Sequence, residues 1–368
     1  EAERQKDRES PDQRHRHSGH GNHGRAPRAE EQEDDDDDQN ERFDQGVDHA
    51  VDRGIDEGRG IKRDVPAQAR WEVRLQFGHS GTDGIGGGDR ILDRSTGLTK
   101  LDLVRYYAEV SEWALPHLQG RHIFIRRAPA GLDARTLFQE LPLGMKGLRG
   151  PDPALWPGHE PAIAIATAED LVAAAQAGMV ELHTWNSTAA AIDRADRIVL
   201  DIDPGRDVPW GWVREAAVLT RTMFGELGLE SWLKTSGGKG LHVVVPVRPE
   251  YGHAQAKSFA RKLVEHMAKT IPQRFVAKSG ASNRVGRIFL DYLRNGPSQT
   301  TAAAFSARTR PGMGVSVPIA WEELDDVTSG DHWNIVTALE RLRGMGVDPW
   351  AGYWKCRQSM REAVARLG

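Results

Sequence analysis

Three aspartates carry the strongest chemical signal in the chain. The segment Arg197-Ile198-Val199-Leu200-Asp201-Ile202-Asp203-Pro204 reads as a strand ended by proline. Residues i and i+2 of a strand share a face, so Asp201 and Asp203 project together while Leu200 and Ile202 point the other way. Two adjacent anions repel, and Mg2+ or Mn2+, which take hard oxygen ligands, would compensate them. Taken alone, the pair also fits a solvated strand end. Asp291 stands inside the apolar stretch Arg287 to Leu293, where an unpaired carboxylate is costly. It should meet a cation: a metal, or the guanidinium of Arg284 or Arg287.

Two segments suit phosphate. In Lys234-Thr235-Ser236-Gly237-Gly238-Lys239-Gly240-Leu241-His242 the glycines let backbone amides converge on an anion, with Ser236 adding a hydroxyl and Lys239 a charge. It is not a Walker loop, because Gly240 follows the lysine where Ser or Thr is needed and Leu233 stands where the first glycine belongs. A plain hairpin turn is the alternative. Phe305-Ser306-Ala307-Arg308-Thr309-Arg310, read as a strand, puts two guanidiniums on one face, suited to bidentate phosphate binding, with a solvated edge strand as its rival. Carboxylates, cradle and paired arginines together are the parts of metal-dependent nucleotidyl transfer.

The elements that must position these residues can be read from periodicity. Thr99 caps a helix whose Leu101, Val104, Ala108, Leu115 and Leu118 recur at helical spacing before Gly120. His122 to Arg127 alternates like a strand. Thr167-Ala168-Glu169-Asp170 resembles a capping box that opens a helix closed by Gly178. Strands are expected at Val180 to Thr184, Arg197 to Asp203, Ser231 to Lys234, Leu241 to Val247, Arg287 to Leu293 and Thr301 to Arg308, with helices at Trp210 to Leu227 and His253 to Ile271. Strands and helices alternate without the regularity of a doubly wound parallel sheet, so the class is α+β.

Composition sets the boundaries. Residues 1–60 hold 19 acidic and 10 basic residues, a net charge of −9, with Phe43 as their one aromatic and His15, His17, His20 and His23 among Gly, Arg and Ser. Such a segment cannot bury enough apolar area to offset its ordering entropy, and it is expected to be a disordered acidic, His-rich tail. Residues 61–89 read as a linker, in which Gly84-Ile85-Gly86-Gly87-Gly88-Asp89 lacks the last glycine of a dinucleotide loop. Residues 90–368 form the expected domain. Beyond residue 60 the chain has 34 acidic and 39 basic residues, a net of +5 that suits a nucleic-acid partner where the charges cluster. No apolar stretch approaches the roughly 20 residues of a membrane span, and the N-terminus lacks the apolar core of a secretory signal, so a cytoplasmic location is expected. The single cysteine, Cys356, excludes an internal disulfide and a thiolate zinc site. The chain begins at Glu1 rather than Met, which leaves room for further domains.

From Arg90 to Gly368 the sequence resembles the polymerase module of bacterial DNA ligase D, in the archaeo-eukaryotic primase superfamily. The resemblance rests on His183-Thr184-Trp185-Asn186, Asp201-Ile202-Asp203-Pro204, Ser236-Gly237-Gly238-Lys239-Gly240-Leu241-His242, Asp291-Tyr292-Leu293-Arg294-Asn295 and Ser306-Ala307-Arg308-Thr309-Arg310, in the family's order. It implies a primase-polymerase fold with mixed or antiparallel sheets flanked by helices. It also implies an enzyme that adds nucleotides at DNA ends during end joining. By the same resemblance Asp201, Asp203 and Asp291 would be catalytic and hold two divalent ions, Mn2+ or Mg2+, and Asp291 would help activate the primer 3′-hydroxyl. An NTP or dNTP would meet His183, near its sugar, and Ser236, Gly238, Lys239, His242, Arg284, Arg308 and Arg310. Arg90, Lys100 and Arg126 would hold a DNA 5′-phosphate and Phe138 would stack on a base. The implied partners are gapped or 5′-phosphorylated DNA, the Ku end-binding protein and a ligase domain. Where the family shows two successive aromatics and a basic residue, this chain reads Leu137-Phe138-Gln139-Glu140-Leu141, and Gly87 replaces a common polar residue. Two other readings fit part of the pattern: a DNA-end-binding scaffold without turnover, and a glycosyltransferase using Asp-x-Asp, which leaves Asp291 and the paired arginines without a task.

Overall fold

Residues 86–139 and 163–367 are described by the structure, a computed structural model. The expected tail at 1–60, most of the 61–89 segment, and Glu140 and Leu141 lie outside these residues. The chain enters through a short hairpin, β1 (Ile91–Asp93) and β2 (Leu98–Thr99). Helix α1 (Lys100–Leu118) follows, opened by reciprocal bonds between Thr99 and Asp102. Then come β3 (Ile123–Arg127), β4 (Leu137–Gln139), α2 (Ala168–Gln176, with the expected Thr167–Asp170 box) and β5 (Met179–Trp185). The second half runs β6 (Arg197–Pro204), α3 (Trp210–Glu226), β7 (Trp232–Thr235), β8 (Leu241–Pro246), α4 (His253–Thr270), β9 (Phe275–Val276), β10 (Ile288–Asp291), β11 (Thr300–Ala302), β12 (Pro318–Ile319), α5 (Thr337–Gly344) and α6 (Arg361–Leu367). No helix among the described residues is long and apolar enough to cross a membrane.

Two sheets hold the chemistry. One has six strands in the order β12-β7-β8-β6-β10-β9, antiparallel except between β9 and β10, and the other has four in the order β11-β5-β3-β4, all antiparallel. This is the expected α+β architecture. Each sheet buries one face under helices. Ile198, Leu200 and Ile202 of β6 pack with Leu241, Val243 and Val245 of β8 against Val213, Ala217 and Phe224 of α3 and Phe259, Leu263 and Met267 of α4. Ile123, Ile125, Val180 and Leu182 of the second sheet pack against α1 and α2. Strand alternation therefore sends Asp201, Asp203 and His242 to the opposite face of the first sheet, and Glu181 and His183 to the opposite face of the second.

One expected strand is shorter than its pattern. Thr301 to Arg308 pairs with β5 only as far as Ala302, after which Phe305 adopts a left-handed φ of 64°. Side-chain competition explains the break. Ser306 Oγ takes the Leu182 amide at 2.8 Å, a bond that the ladder would otherwise make, and Ala303 donates to Leu182 O. Arg308 and Arg310 thus ride on an irregular segment rather than a strand face, and Ala307 bridges to Val315.

Tyr107 ties that segment to the helical layer. Its ring is fully buried, its hydroxyl donates to Val180 O, and it accepts the Ala307 amide at 3.1 Å. Tyr107→Phe leaves both backbone groups without this partner and should cost about 1–3 kcal/mol, read by urea unfolding. An unchanged unfolding midpoint would show that the hydroxyl is not a tie.

Candidate active site

Strand register sets four ionisable side chains in one row across the first sheet. Lys234 of β7 stands opposite His242 of β8, His242 opposite Asp201 of β6, and Asp201 opposite Asp291 of β10. Opposed residues of antiparallel strands share a face, with Cβ atoms about 5 Å apart. Asp203, two residues along β6, lies opposite Phe289 on that same face. The three expected carboxylates are therefore neighbours.

Each is held by a different partner. Asp203 Oδ2 is 2.7 Å from Arg284 Nη1. Asp291 Oδ2 is 2.9 Å from Arg294 Nε, and its Oδ1 accepts the Leu293 amide at 2.7 Å. Asp201 Oδ2 lies 3.4 Å from His242 Nε2. The guanidinium seen on Asp291 is that of Arg294, a partner that the spacing of the sequence does not single out. After β10 the chain turns through one 3-10 turn, Leu293–Asn295, which brings Arg294 back onto Asp291, while Arg284, just after another such turn, reaches Asp203. Asn295 fixes this turn by donating to Val199 O at 2.7 Å and accepting Val199 N–H at 2.8 Å, in the place of a further residue of β10.

Among the described residues no three metal-ligating side chains converge on one point. The donor set nevertheless suits a hard divalent cation: three carboxylates on adjoining strands, with Asp201 and Asp203 reachable at 23% and 32% side-chain exposure. Arg284 and Arg294 supply the positive charge those carboxylates require.

Behind Asp201 the row continues into the interior. Lys234 Nζ contacts His242 Nδ1 at 2.7 Å, Ser316 Oγ at 2.6 Å and Ala302 O at 2.9 Å. Ser316 gives its own hydrogen to Thr235 O. With the His242 hydrogen turned to Asp201 all three are acceptors, an arrangement that favours an ammonium at Lys234 against burial, which pulls its pKa well below the ordinary lysine range. Burial, joined by Lys234 and opposed by Asp201, pushes the His242 imidazole down to about 4. The neutral ring accepts at Nδ1 and turns its Nε2–H to Asp201. Burial works to raise the Asp201 carboxyl, yet His242, with Arg294 and Arg308 further off, holds it well below the usual carboxylate range.

The glycine loop joins β7 to β8 as the sequence suggests, but its amides are arranged otherwise. Those of Gly238 and Gly240 both donate to Ser236 Oγ at 3.1 Å, and that of Gly237 to Gly330 O. They converge on the serine, not on open space. Gly237 has a φ of +72°, and a Cβ there would lie 2.7 Å from Arg308 Cγ, so glycine lets the arginine stem cross the loop. Lys239 is exposed at the loop tip, and Arg310 lies beside Gly238. Lys239, Arg308 and Arg310 are thus gathered around one loop. His183 lies on the facing sheet, with Nε2 2.6 Å from Glu181 Oε2 and its ring 5.8 Å from Phe138.

The expected DNA-binding residues divide into two groups. Lys100, the first residue of α1, is buried rather than on the surface, and its Nζ donates to Gly86 O at 2.8 Å. Burial and nearby Arg90 lower its pKa. Arg90 donates to Pro129 O and accepts the Lys100 amide, so these two are adjacent, on a turn where Gly87 has a φ of 68°. Arg126 keeps company with the exposed ring of Phe138, its guanidinium 5.1 Å away, and with Thr136. Nothing local in the sequence assigns a role to Lys234, Glu181, Arg294 or Asn295. Glu181 was findable, since Glu181 and His183 repeat the i, i+2 spacing of Asp201 and Asp203. Lys234 required the hairpin register.

The family model described as "LigD, primase-polymerase domain" matches residues 99–350. The multifunctional non-homologous end joining protein LigD of Pseudomonas aeruginosa is 43% identical over 280 residues, which are 75% of this chain and 33% of that protein. The bifunctional non-homologous end joining protein LigD of Bacillus subtilis is 25% identical over 70% of this chain and 42% of its own length. A solved structure of the polymerase domain from Mycobacterium tuberculosis ligase D in complex with DNA superposes with a TM-score of 0.64 at 28% identity, covering 71% of this chain and 94% of that one. The chain thus spans about a third of the length of the first curated relatives it matches.

The buried row makes stability depend on pH. An unfolded imidazole takes up its proton near pH 6.5 and the folded His242 near 4, so between those values the unfolded state binds more protons. Stability of the metal-free protein should fall as pH drops from about 6.5 to about 4, by up to roughly 3 kcal/mol from this group. His242→Gln should flatten that part of the curve, read by urea unfolding at pH 7, 5.5 and 4.5. An equally steep decline in the variant would assign the slope to other groups.

Proposed function

Because the chain belongs to the LigD primase-polymerase family, we propose that it transfers nucleotides from a nucleoside triphosphate to a primer 3′-hydroxyl at DNA ends during double-strand-break repair by end joining. The observation that carries this reading is the placement of Asp201, Asp203 and Asp291 side by side, on strands that adjoin the loop around which Lys239, Arg308 and Arg310 gather. A DNA-end scaffold would have no use for three adjoining carboxylates. A sugar transferase would leave Asp291 and the arginines unemployed.

Asp201, Asp203 and Asp291 would hold two divalent ions, Mn2+ or Mg2+. Bound there, the ions lower the pKa of the attacking hydroxyl and neutralise charge on the triphosphate. To serve as ligands, Asp203 and Asp291 must be released by Arg284 and Arg294, which then turn their positive charge to the incoming nucleotide. His242, held by the Lys234 ammonium, keeps Asp201 oriented and ionised. Lys239, Arg308 and Arg310 grip the triphosphate, and their charge counts most as pyrophosphate leaves. Ser236 holds the loop in shape through two amides while its own O–H stays available to a phosphate oxygen. Gly238 lies beside Arg310, and His183 faces the sugar. Arg90 and Lys100 form a site for the DNA 5′-phosphate, with Arg126 and Phe138 offering cation and ring to a neighbouring base. Residues 90–368 are the catalytic domain and 1–60 an appended tail. Ku and a ligase domain, in the same polypeptide or another, complete end joining at the nucleoid in the cytoplasm.

The test is primer extension on a 5′-phosphorylated gapped duplex with Mn2+. Asp203→Ala should reduce extension by at least a thousandfold while the protein stays folded, and retained activity would refute the mechanism. Lys239→Ala and Arg310→Ala should raise KM for nucleotide tenfold or more and leave duplex affinity unchanged. Equal loss of duplex binding would place these residues on the nucleic acid instead.

A further inference from the structure

Glu181 has no task in the mechanism above, yet it is among the most heavily bonded side chains in the protein. It is 1% exposed on β5 and its carboxylate collects four donors. Oε2 takes His183 Nε2 at 2.6 Å and Arg308 Nε at 3.0 Å, while Oε1 takes the Thr309 amide at 2.7 Å and the Thr309 hydroxyl. Burial works to raise this carboxyl, but Arg308, His183 and Thr309 overcome it and hold its pKa well below the ordinary range. It is an anion at neutral pH and can only accept.

Two consequences follow for groups assigned to the nucleotide. His183 must carry its hydrogen on Nε2, which leaves the Nδ1 lone pair as an acceptor. Burial lowers the pKa of this ring against the pull of Glu181, so it stays neutral. Arg308 is held at two of its three nitrogens, Nε by Glu181 and Nη1 by Ser236 O at 2.8 Å, which leaves Nη2 to donate. Both settings hang on the same oxygen, Oε2.

We propose that Glu181 is a positioning residue that presets the nucleotide site: one buried carboxylate makes His183 an acceptor through Nδ1 and Arg308 a donor through Nη2. The matching ligand offers a hydroxyl to the first and a phosphate oxygen to the second, as a nucleotide does with its sugar and its phosphates. The inference rests on the nucleotide-site reading given above. Glutamine cannot replace Glu181, because Arg308 Nε–H and the Thr309 amide are obligatory donors on different oxygens. The amide NH2 would confront a donor in either orientation.

The experiment is 15N NMR of histidine-labelled protein at neutral pH, with His183→Ala used to assign the ring signal, combined with calorimetric titration of ATP. The parent should show His183 protonated at Nε2. Folded Glu181→Gln should lose that single tautomer and bind ATP at least tenfold more weakly, with duplex affinity unchanged within twofold. A parent His183 protonated at Nδ1 would overturn the proposal, as would parental ATP affinity in folded Glu181→Gln. If the variant does not fold, the tautomer in the parent decides alone. Neither readout needs turnover, so a parent that binds ATP but extends no primer would refute the polymerase reading separately.

Discussion

Repulsion among Asp201, Asp203 and Asp291 is the constraint around which this protein is arranged. β-Strand register places Asp201 and Asp291 directly opposite each other, with Asp203 two residues away on the same face. Three carboxylates this close require positive charge. The chain supplies it from separate directions: Arg284 from the loop before β10, Arg294 from the turn after it, and the Lys234 ammonium through His242. The surrounding structure serves these approaches. Asn295 completes the edge of β6 so that the Arg294 turn is held, and Ser316 and Ala302 O fix Lys234.

The same logic links the two sheets. Arg308 reaches from Glu181 on the four-stranded sheet to Ser236 O in the loop of the six-stranded one. It can do so because the Thr301 to Arg308 segment leaves its ladder at Ser306 and because Gly237 has no side chain in the way. An irregular segment is thus what allows a guanidinium to serve both sheets. A continued strand would hold Arg308 to one of them.

Much of this was legible in the sequence where the signal was local. The i, i+2 spacing of Asp201 and Asp203, the Thr99 and Thr167 caps and the glycine hairpin each depend on a few neighbouring residues, and each appears where periodicity places it. What stayed hidden depends on register or on competition between distant groups. Arg294 meets Asp291 only because a 3-10 turn follows β10, and Lys234 meets His242 only through hairpin pairing. The strand pattern of Phe305 to Arg310 gave way because a serine hydroxyl took a backbone amide 124 positions away, which no local window contains. The motif resemblance named the groups proposed to meet the nucleotide. It did not disclose that the amides of Gly238 and Gly240 rest on Ser236.

If arginines stand where cations are to bind, a Mn2+ titration followed by electron paramagnetic resonance on the parent and Arg284→Gln will register it. Removing the guanidinium relieves Asp203 of a competing partner, so the variant should bind Mn2+ several-fold more tightly. Unchanged or weaker binding in a folded Arg284→Gln would contradict it.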